Sequence, residues 1–315
     1  MSGKSNLFWE GFPKHELCLG SRAYPEGLND LSDPPKRLYV IGSIESLEAG
    51  IAIIGARKAT PYGIGCAERF ASLAAEEGVA VISGGAIGCD QAAHRGALDA
   101  HGKTVAVLGS GADVAYPVRG TATFRRILEG GGAIVSEEPW GTPPQRWAFR
   151  KRNRIIAALA KAVLIVEAGF PSGTLSTVDH SLEMNRDVMV IPGSIFSKES
   201  MGANRLLSEG AIPIADDESF RFALRRLFPL REQAKGEEAD AQAGIVFQRR
   251  ANATQLKIID AISASPLAPD ALIGIGGASL IEVLRNLSAL ETHGMVARYP
   301  DGRFGVSAAY VKLKG

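Results

Sequence analysis

The sequence predicts an α/β fold: an extended Rossmann-like, doubly wound and mostly parallel sheet, with a small C-terminal winged-helix domain. Three observations carry this. Short apolar runs at 51–54, 79–82 and 104–109 alternate with helical patterns near 64–77 and 91–100. Strands this short and apolar are buried on both faces, as parallel strands between helices are, and strand–helix repetition builds a doubly wound sheet. Each run also ends in a turn rich in Gly, Ser or Arg, and such sheets bind ligands at the carboxyl ends of their strands. The tail changes character: two helical stripes precede a hairpin pattern, the order of a winged helix-turn-helix.

Taken in order, 1–47 is a lead-in arm. Tyr24-Pro25 and Asp33-Pro34-Pro35 are turn and extended signals. Leu38 to Gly42 reads as a short edge strand, and the arm is expected only to pack against the sheet. The Rossmann-like domain occupies 48–228. Its first strand turns at Gly55-Ala56-Arg57-Lys58, and its second ends in Ser83-Gly84-Gly85-Ala86-Ile87-Gly88-Cys89-Asp90. Gly109-Ser110-Gly111 and Tyr116-Pro117 follow the third strand. A helix near 121–128 is broken by Gly130-Gly131-Gly132, and 133–137 is a strand. A Pro-rich loop at 139–144 leads to a helix over 152–160. Strands at 162–167 and 187–193 enclose a helix opened by Ser172-Gly173-Thr174, and a last helix runs over 202–209. Residues 229–253 are a charged, Ala/Gly-rich linker. In the winged-helix domain, 254–315, Leu256, Ile259 and Ile262 mark one helix. Leu280, Val283, Leu284, Leu287 and Leu290 mark another, and Pro300-Asp301-Gly302 turns a hairpin.

Composition removes several function classes. The net charge is +1 over 315 residues, so any nucleic-acid site must be a local patch rather than a global field. Cys18, Cys66 and Cys89 are scattered, odd in number and without metal-ligand spacing, which fits a reducing cytoplasm without disulfides or zinc. Lys4, Glu10, Lys14 and Glu16 interrupt the N-terminal stretch, so no signal-peptide core is expected, and no apolar run is long enough to span a bilayer. The five histidines form no cluster. Neither a G-x-G-x-x-G fingerprint at Gly55 nor a Walker A loop is present.

Four constellations are candidates for chemistry. Arg57, with Lys58, follows a buried strand at the sheet's mouth, where a guanidinium takes phosphate oxygens in pairs. The glycines at 84, 85 and 88 let backbone N–H groups approach a ligand before a helix N-terminus. Asp90 is expected to cap that helix, and His94, one turn on, reads as a structural histidine. From 139 to 166 there are six basic residues, Arg146, Arg150, Lys151, Arg152, Arg154 and Lys161, and no acidic one. Trp147, Phe149 and Asn153 are interleaved. Cations hold phosphates while aromatic faces stack bases, the combination that binds single-stranded nucleic acid. Ser172-Gly173-Thr174, with Thr177 one turn later, is a further anion seat at a helix start.

The ordered set of these motifs resembles the DNA-processing protein A family (DprA, also called Smf). The pattern runs from Tyr24-Pro25 through Gly55-x-Arg57, Ser83-Gly84, Gly88-x-Asp90 with His94, Tyr116-Pro117, and Phe149-x-x-Arg152-Asn153-Arg154-Ile155-Ile156-Ala157. It continues through Glu167-Ala168, Ser172-Gly173-Thr174-Leu175, Pro192-Gly193 and Gly202-x-Asn204 to Gly210-Ala211. The resemblance implies a cytoplasmic homodimer that binds single-stranded DNA without catalysis or cofactor. It further implies that the protein protects incoming DNA and helps load RecA recombinase in natural transformation or recombination. On it, Arg57 and Lys58 would bind backbone phosphate. Ser83, Gly84, Gly85 and Gly88, and Ser172, Gly173 and Thr174, would offer N–H groups and hydroxyls. Phe149 would lie against a base, and Lys151, Arg152 and Arg154 would line the groove with Asn153 among them. Departures are Ala56 for a hydroxyl residue, Arg150 for Pro, and Ile87 and Cys89 for an often polar and an often aliphatic residue. The tail holds six basic and five acidic residues, which favours a packing or protein-contact role over duplex binding.

Rival readings make distinct predictions. A phosphoribohydrolase-like enzyme on a related fold would carry P-G-G-x-G-T-x-x-E, but the stretch from Pro171 to Thr177 has no glutamate at the expected place. A nucleotide-sensing module would bind mononucleotides in competition with DNA. A regulator acting through the tail alone would bind DNA with residues after Thr254.

Overall fold

The computed structural model describes residues 9–228, 252–292, 295–299 and 302–306. Chain contacts divide it into two units, Met1–Phe228 and Pro229–Gly315. The first is built on nine strands: β1 (Lys14–Cys18), β2 (Arg37–Gly42), β3 (Gly50–Ile54), β4 (Val81–Ser83), β5 (Thr104–Val107), β6 (Ala133–Ser136), β7 (Ala160–Ile165), β8 (Asp187–Val190) and β9 (Ile212–Pro213). They lie in the order β1-β2-β6-β5-β4-β3-β7-β8-β9. The seven strands from β6 to β9 pair in parallel, and β1 and β2 add antiparallel pairs at one side.

Strand alternation sorts the core into two faces. Ile51 and Ile53 of β3 pack with Phe70, Leu73, Phe220 and Leu224, on the face of α1 (Pro61–Glu76), α2 (Cys89–Asp99) and α7 (Asp217–Leu227). Ala52 and Ile54 pack with Ile155, Ile156, Val178 and Leu206. That face carries α4 (Arg146–Leu159), α5 (Leu175–Glu183) and α6 (Met201–Ser208). Between α2 and α4 in the chain, α3 (Thr121–Glu129) buries Phe124, Ile127 and Leu128 beside Ile41 and Leu108. Each large aliphatic side chain so buried contributes roughly 1.5–3 kcal/mol.

Several expectations are corrected. Leu38 to Gly42 is not an edge strand, and the arm does not merely pack: β2 pairs with β1 on one side and β6 on the other. Leu38, Val40 and Ile41 are fully buried, as a strand covered on both faces requires. β1 was invisible as a strand because Lys-His-Glu-Leu-Cys buries only its leucine. The helix expected at 152–160 begins at Arg146, directly after the extended Gln145 that follows Pro143-Pro144. Its buried stripe runs through Ala148, Arg152, Ile155, Ile156 and Leu159, and an arginine inside that stripe hides its first half from a hydrophobic pattern. β9 and α7 were not anticipated either.

In the second unit, α8 (Ala253–Ala264), α9 (Leu280–Thr292) and an antiparallel pair, β10 (Val296–Arg298) with β11 (Phe304–Val306), enclose a small core. That core contains Ile258, Ile259, Ile262, Leu272, Val283, Leu287, Leu290 and Phe304. Residues 229–251 of the expected linker and Pro300-Asp301 of the expected hairpin turn lie outside the described residues. No helix among the described residues is long and apolar enough to cross a membrane.

Candidate nucleic-acid interface

The chain winds outward from β3 through β4 and β5 to β6, then returns to place β7 on the other side of β3. The loops after β3 and β7 therefore diverge at the topological switch point, where doubly wound sheets bind ligands. A cleft of about 600 Å³ opens there. Its walls come from the loop after β3 (Gly55, Ala56, Arg57), the loop after β7 (Gly169, Pro171 to Thr174), the first half of α4 and Tyr116.

The cleft is cationic and aromatic. Arg57, Arg146 and Arg150 are exposed within it, and none of the three forms an ion pair with a carboxylate among the described residues. Phe149 is half-buried on one wall. The Arg57 guanidinium stands 5.5 Å from its ring centroid, and Tyr116 packs on it at 5.4 Å, tilted by 39°. Uncompensated guanidinium groups beside an accessible ring hold a phosphate and a base at once. The first turn of α4 holds no acidic residue and no side-chain cap, so its free N–H groups add to the positive potential.

Beneath the cleft floor lies Arg152, only 5% exposed. It donates to the carbonyl oxygen of Gly84 at 2.6 Å and also to that of Val107, joining α4 to the ends of β4 and β5. Burial pulls its guanidinium down to about 10, with Asp90 opposing that pull, so it stays charged at neutral pH. Asp90 does not cap α2: Gly88 is the N-cap residue and has no side-chain cap bond. Asp90 sits inside the first turn, buried, and accepts from Ala86 N–H at 3.3 Å. Burial raises its carboxyl above the ordinary value, while Arg152 and the N–H groups of Ala86 and Gly55 counteract the rise. A Cβ at Gly84 would meet Asp90 Oδ2 at 2.6 Å and the Arg152 guanidinium at 2.8 Å, so any larger residue there would have to push the ends of these two side chains aside.

The loops are fixed by three further side chains, Glu167, Asn153 and Thr174. Buried Glu167, just past β7, accepts from the Thr60 N–H at 2.8 Å and the Thr60 hydroxyl at 2.7 Å. Thr60 in turn caps α1 by accepting from Gly63 N–H at 3.1 Å. Across the cleft, Asn153 donates to Ser176 Oγ at 2.8 Å and to the Gly173 carbonyl at 3.3 Å, and Thr174 Oγ1 donates to the Gly55 carbonyl at 3.4 Å. Ser172 Oγ accepts from Thr174 N–H at 3.2 Å.

The remaining predicted residues separate from the cleft. Lys58 is exposed outside its lining. Ser83 is fully buried and its hydroxyl donates to the Ile53 carbonyl at 2.7 Å. Gly85, at φ +66°, backs onto Phe124, and Gly88, at φ +89°, presses against the Ala56 carbonyl. Lys151 pairs with Glu137 at 2.7 Å and Arg154 pairs with the same carboxylate and with the Asp33 carbonyl. Both tie α4 to the end of β6, and Arg154 also ties it to the arm. His94 is fully buried. Its Nδ1 lies 2.7 Å from Thr104 Oγ1, whose hydroxyl donates to the Val81 carbonyl. Nδ1 therefore carries the proton, Nε2 has no hydrogen-bond partner, and burial pulls the ring down to about 3.

Sequence reading counted Arg146 and Arg150 in the basic run but gave neither of them, nor Tyr116, a place among the named binding residues. The helical period supplies the missing signal: 146, 149, 150 and 153 share one face of α4, whereas 147, 151 and 154 share another. Thr177 also lines the cleft, and Asp90 is the one carboxylate among its lining residues. No group of metal-binding side chains occurs among the described residues.

A doubly wound α/β domain with an arginine-lined, aromatic-walled cleft at its switch point, followed by a small helix–hairpin unit, is a Rossmann-like protein of the class that binds ligands at the carboxyl edge of its sheet. The chain belongs to the DNA recombination-mediator protein A family, whose model matches residues 15–224, and the DprA winged helix domain matches residues 247–302. It is 32% identical over 317 residues to Protein Smf of Escherichia coli, covering 99% of this chain and 81% of that protein. It is 36% identical over 204 residues to the DNA processing protein DprA of Streptococcus pneumoniae, covering 64% and 71%. Two solved relatives share the fold. The X-ray structure of S. pneumoniae DprA superposes with a TM-score of 0.60 at 35% identity, covering 67% of this chain and 74% of that one. DNA processing protein A of Helicobacter pylori, described for its single-stranded DNA binding mode, superposes with a TM-score of 0.62 at 30% identity, covering 69% and 97%.

Proposed function

We propose that this chain binds single-stranded DNA along the carboxyl edge of its sheet, without sequence preference and without cleaving it. One observation carries the reading: Arg57, Arg146 and Arg150, unpaired by carboxylates among the described residues, line one cleft with the half-buried Phe149, whose ring the Arg57 guanidinium faces at 5.5 Å. Phosphates and bases are thereby served in one cleft. The H. pylori relative, characterised for single-strand binding, supports the assignment. The absence of catalysis is supported by the lining: its one carboxylate, Asp90, is engaged with Ala86 N–H and opposite Arg152. A hydrolase would need a free acid or base there.

In this reading the protein is a cytoplasmic homodimer that shields incoming strands and helps load a RecA-type recombinase in transformation or recombination. The winged-helix unit serves a protein contact. Leu280, Ile281 and Leu284 lie exposed along α9, where a duplex-reading helix presents polar and basic groups. Fluorescence anisotropy with a labelled single-stranded oligonucleotide tests the main claim, with duplex DNA and mononucleotides as competitors. Salt-sensitive binding that Arg57→Ala weakens is the expected result. Displacement by a low concentration of mononucleotide would overturn it.

A further inference from the structure

The cleft accounts for the loops after β3 and β7 but not for the apolar surface beside them. Phe170 lies 53% exposed between Gly169 and Pro171, both of which line the cleft. The Arg205 guanidinium of α6 stands 5.0 Å from its ring centroid. The neighbouring loop after β8 carries Phe196, 91% exposed, and Ile195. The loop after β7 adjoins the loop after β8 and the start of α6: a Cβ at Gly169 would lie 3.3 Å from the Lys198 carbonyl, and Gly202 N–H of α6 donates to the Ala168 carbonyl at 2.8 Å. Single exposed apolar residues are ordinary. Two bare phenylalanines on adjoining loops, one under a guanidinium and next to a cleft wall, are a surface that a ligand covers.

We infer that Phe170 and Phe196 form a second base-stacking platform, which receives the bases of a strand after it leaves the cleft. The inference rests on the single-strand reading above. Continuity selects the occupant, because the chain that forms the cleft wall at Gly169 and Pro171 carries Phe170 between them. Chemistry agrees. Arg205 also pairs with Glu209 at 2.8 Å, and Glu199 shares the loop after β8, so the patch is not strongly cationic. It offers ring faces and one guanidinium plane, which stack any base. The platform adds affinity with length while adding little to salt dependence.

The test uses the full chain, as wild type and as the Phe170→Ala/Phe196→Ala double variant. Each is titrated with labelled oligothymidylates, one short enough to fill only the cleft and one longer. The double variant is expected to bind the short strand like wild type and the long strand more weakly by on the order of tenfold or more. The salt slope should stay unchanged, and Phe170→Trp/Phe196→Trp should restore binding. 2-Aminopurine placed beyond the cleft-bound nucleotides should be quenched by wild type and not by the double variant. Equal long-strand affinity in the two proteins would overturn the platform while leaving the cleft standing. So would a loss of affinity that coincides with a fall in oligomeric mass on sedimentation, because the patch would then join two copies of the chain. Wild type that binds neither strand would overturn the single-strand reading and the platform with it.

Discussion

The Arg152 guanidinium donates to the Gly84 carbonyl at 2.6 Å, so the basic helix and the glycine loop form one structural piece. This changes what substitution of the basic run is expected to do. Arg152→Ala leaves Asp90 and two strand-end carbonyls without their buried cation, a loss of about 3–5 kcal/mol. Urea unfolding should register it, whereas Arg57→Ala, at an exposed position, should stay within about 0.5 kcal/mol of wild type.

Salt dependence should separate the cleft arginines from the other cations of α4. Each phosphate contact contributes about 0.7 to the slope of log affinity against log salt for a single strand. Arg57→Ala, Arg146→Ala and Arg150→Ala should each lower the slope by about that amount. Lys151→Ala should leave it unchanged, because Glu137 already engages that ammonium at 2.7 Å. Anisotropy titrations across a salt series measure all four.

Phe149→Ala should cost about 1–3 kcal/mol of single-strand binding through lost stacking. The loss should be similar for pyrimidine and purine strands, since every base presents a ring face. Phe149→Tyr should retain most of the affinity, which competition titrations would show.

His94 gives the domain a defined weakness to acid. The native ring sits at about 3, against an ordinary 6.5, because burial disfavours its charged form. The unfolded chain therefore binds the proton first as pH falls. The stabilisation is complete above about pH 6.5 and drains away towards pH 3, at up to about 1.4 kcal/mol per pH unit. Asp90, raised by burial, has the opposite sign, so the informative quantity is the difference between wild type and His94→Asn. That difference should shrink steadily from neutral pH downwards in denaturant unfolding, while a pH-independent difference would exclude the histidine as the cause.

The alternation of buried strands and helices made the parallel sheet legible, because Ile51 to Ile54 and Thr104 to Val107 carry no exposed residue to break the pattern. Arg57 was legible too, as a cation directly after a buried strand. The residues of α4 were read less well. A run of like charges looks one-sided in sequence, yet a turn of 3.6 residues distributes it around the helix. Arg146 and Arg150 reach the cleft, Lys151 and Arg154 reach Glu137, and Arg152 goes into the core. Pairing with an acid distant in sequence, as Arg154 does with Glu137, leaves no local trace.

The bonds from Thr60 to Glu167 join the loop that follows β3 to the strand on the far side of the switch point. Both walls are thus set in place by folding itself, before any strand arrives. Association has little loop freedom left to lose, so the encounter rate should follow diffusion and electrostatic steering rather than a closing motion. Transient contact with many successive stretches of DNA becomes kinetically easy, since no gate has to open for a strand to leave or to slide.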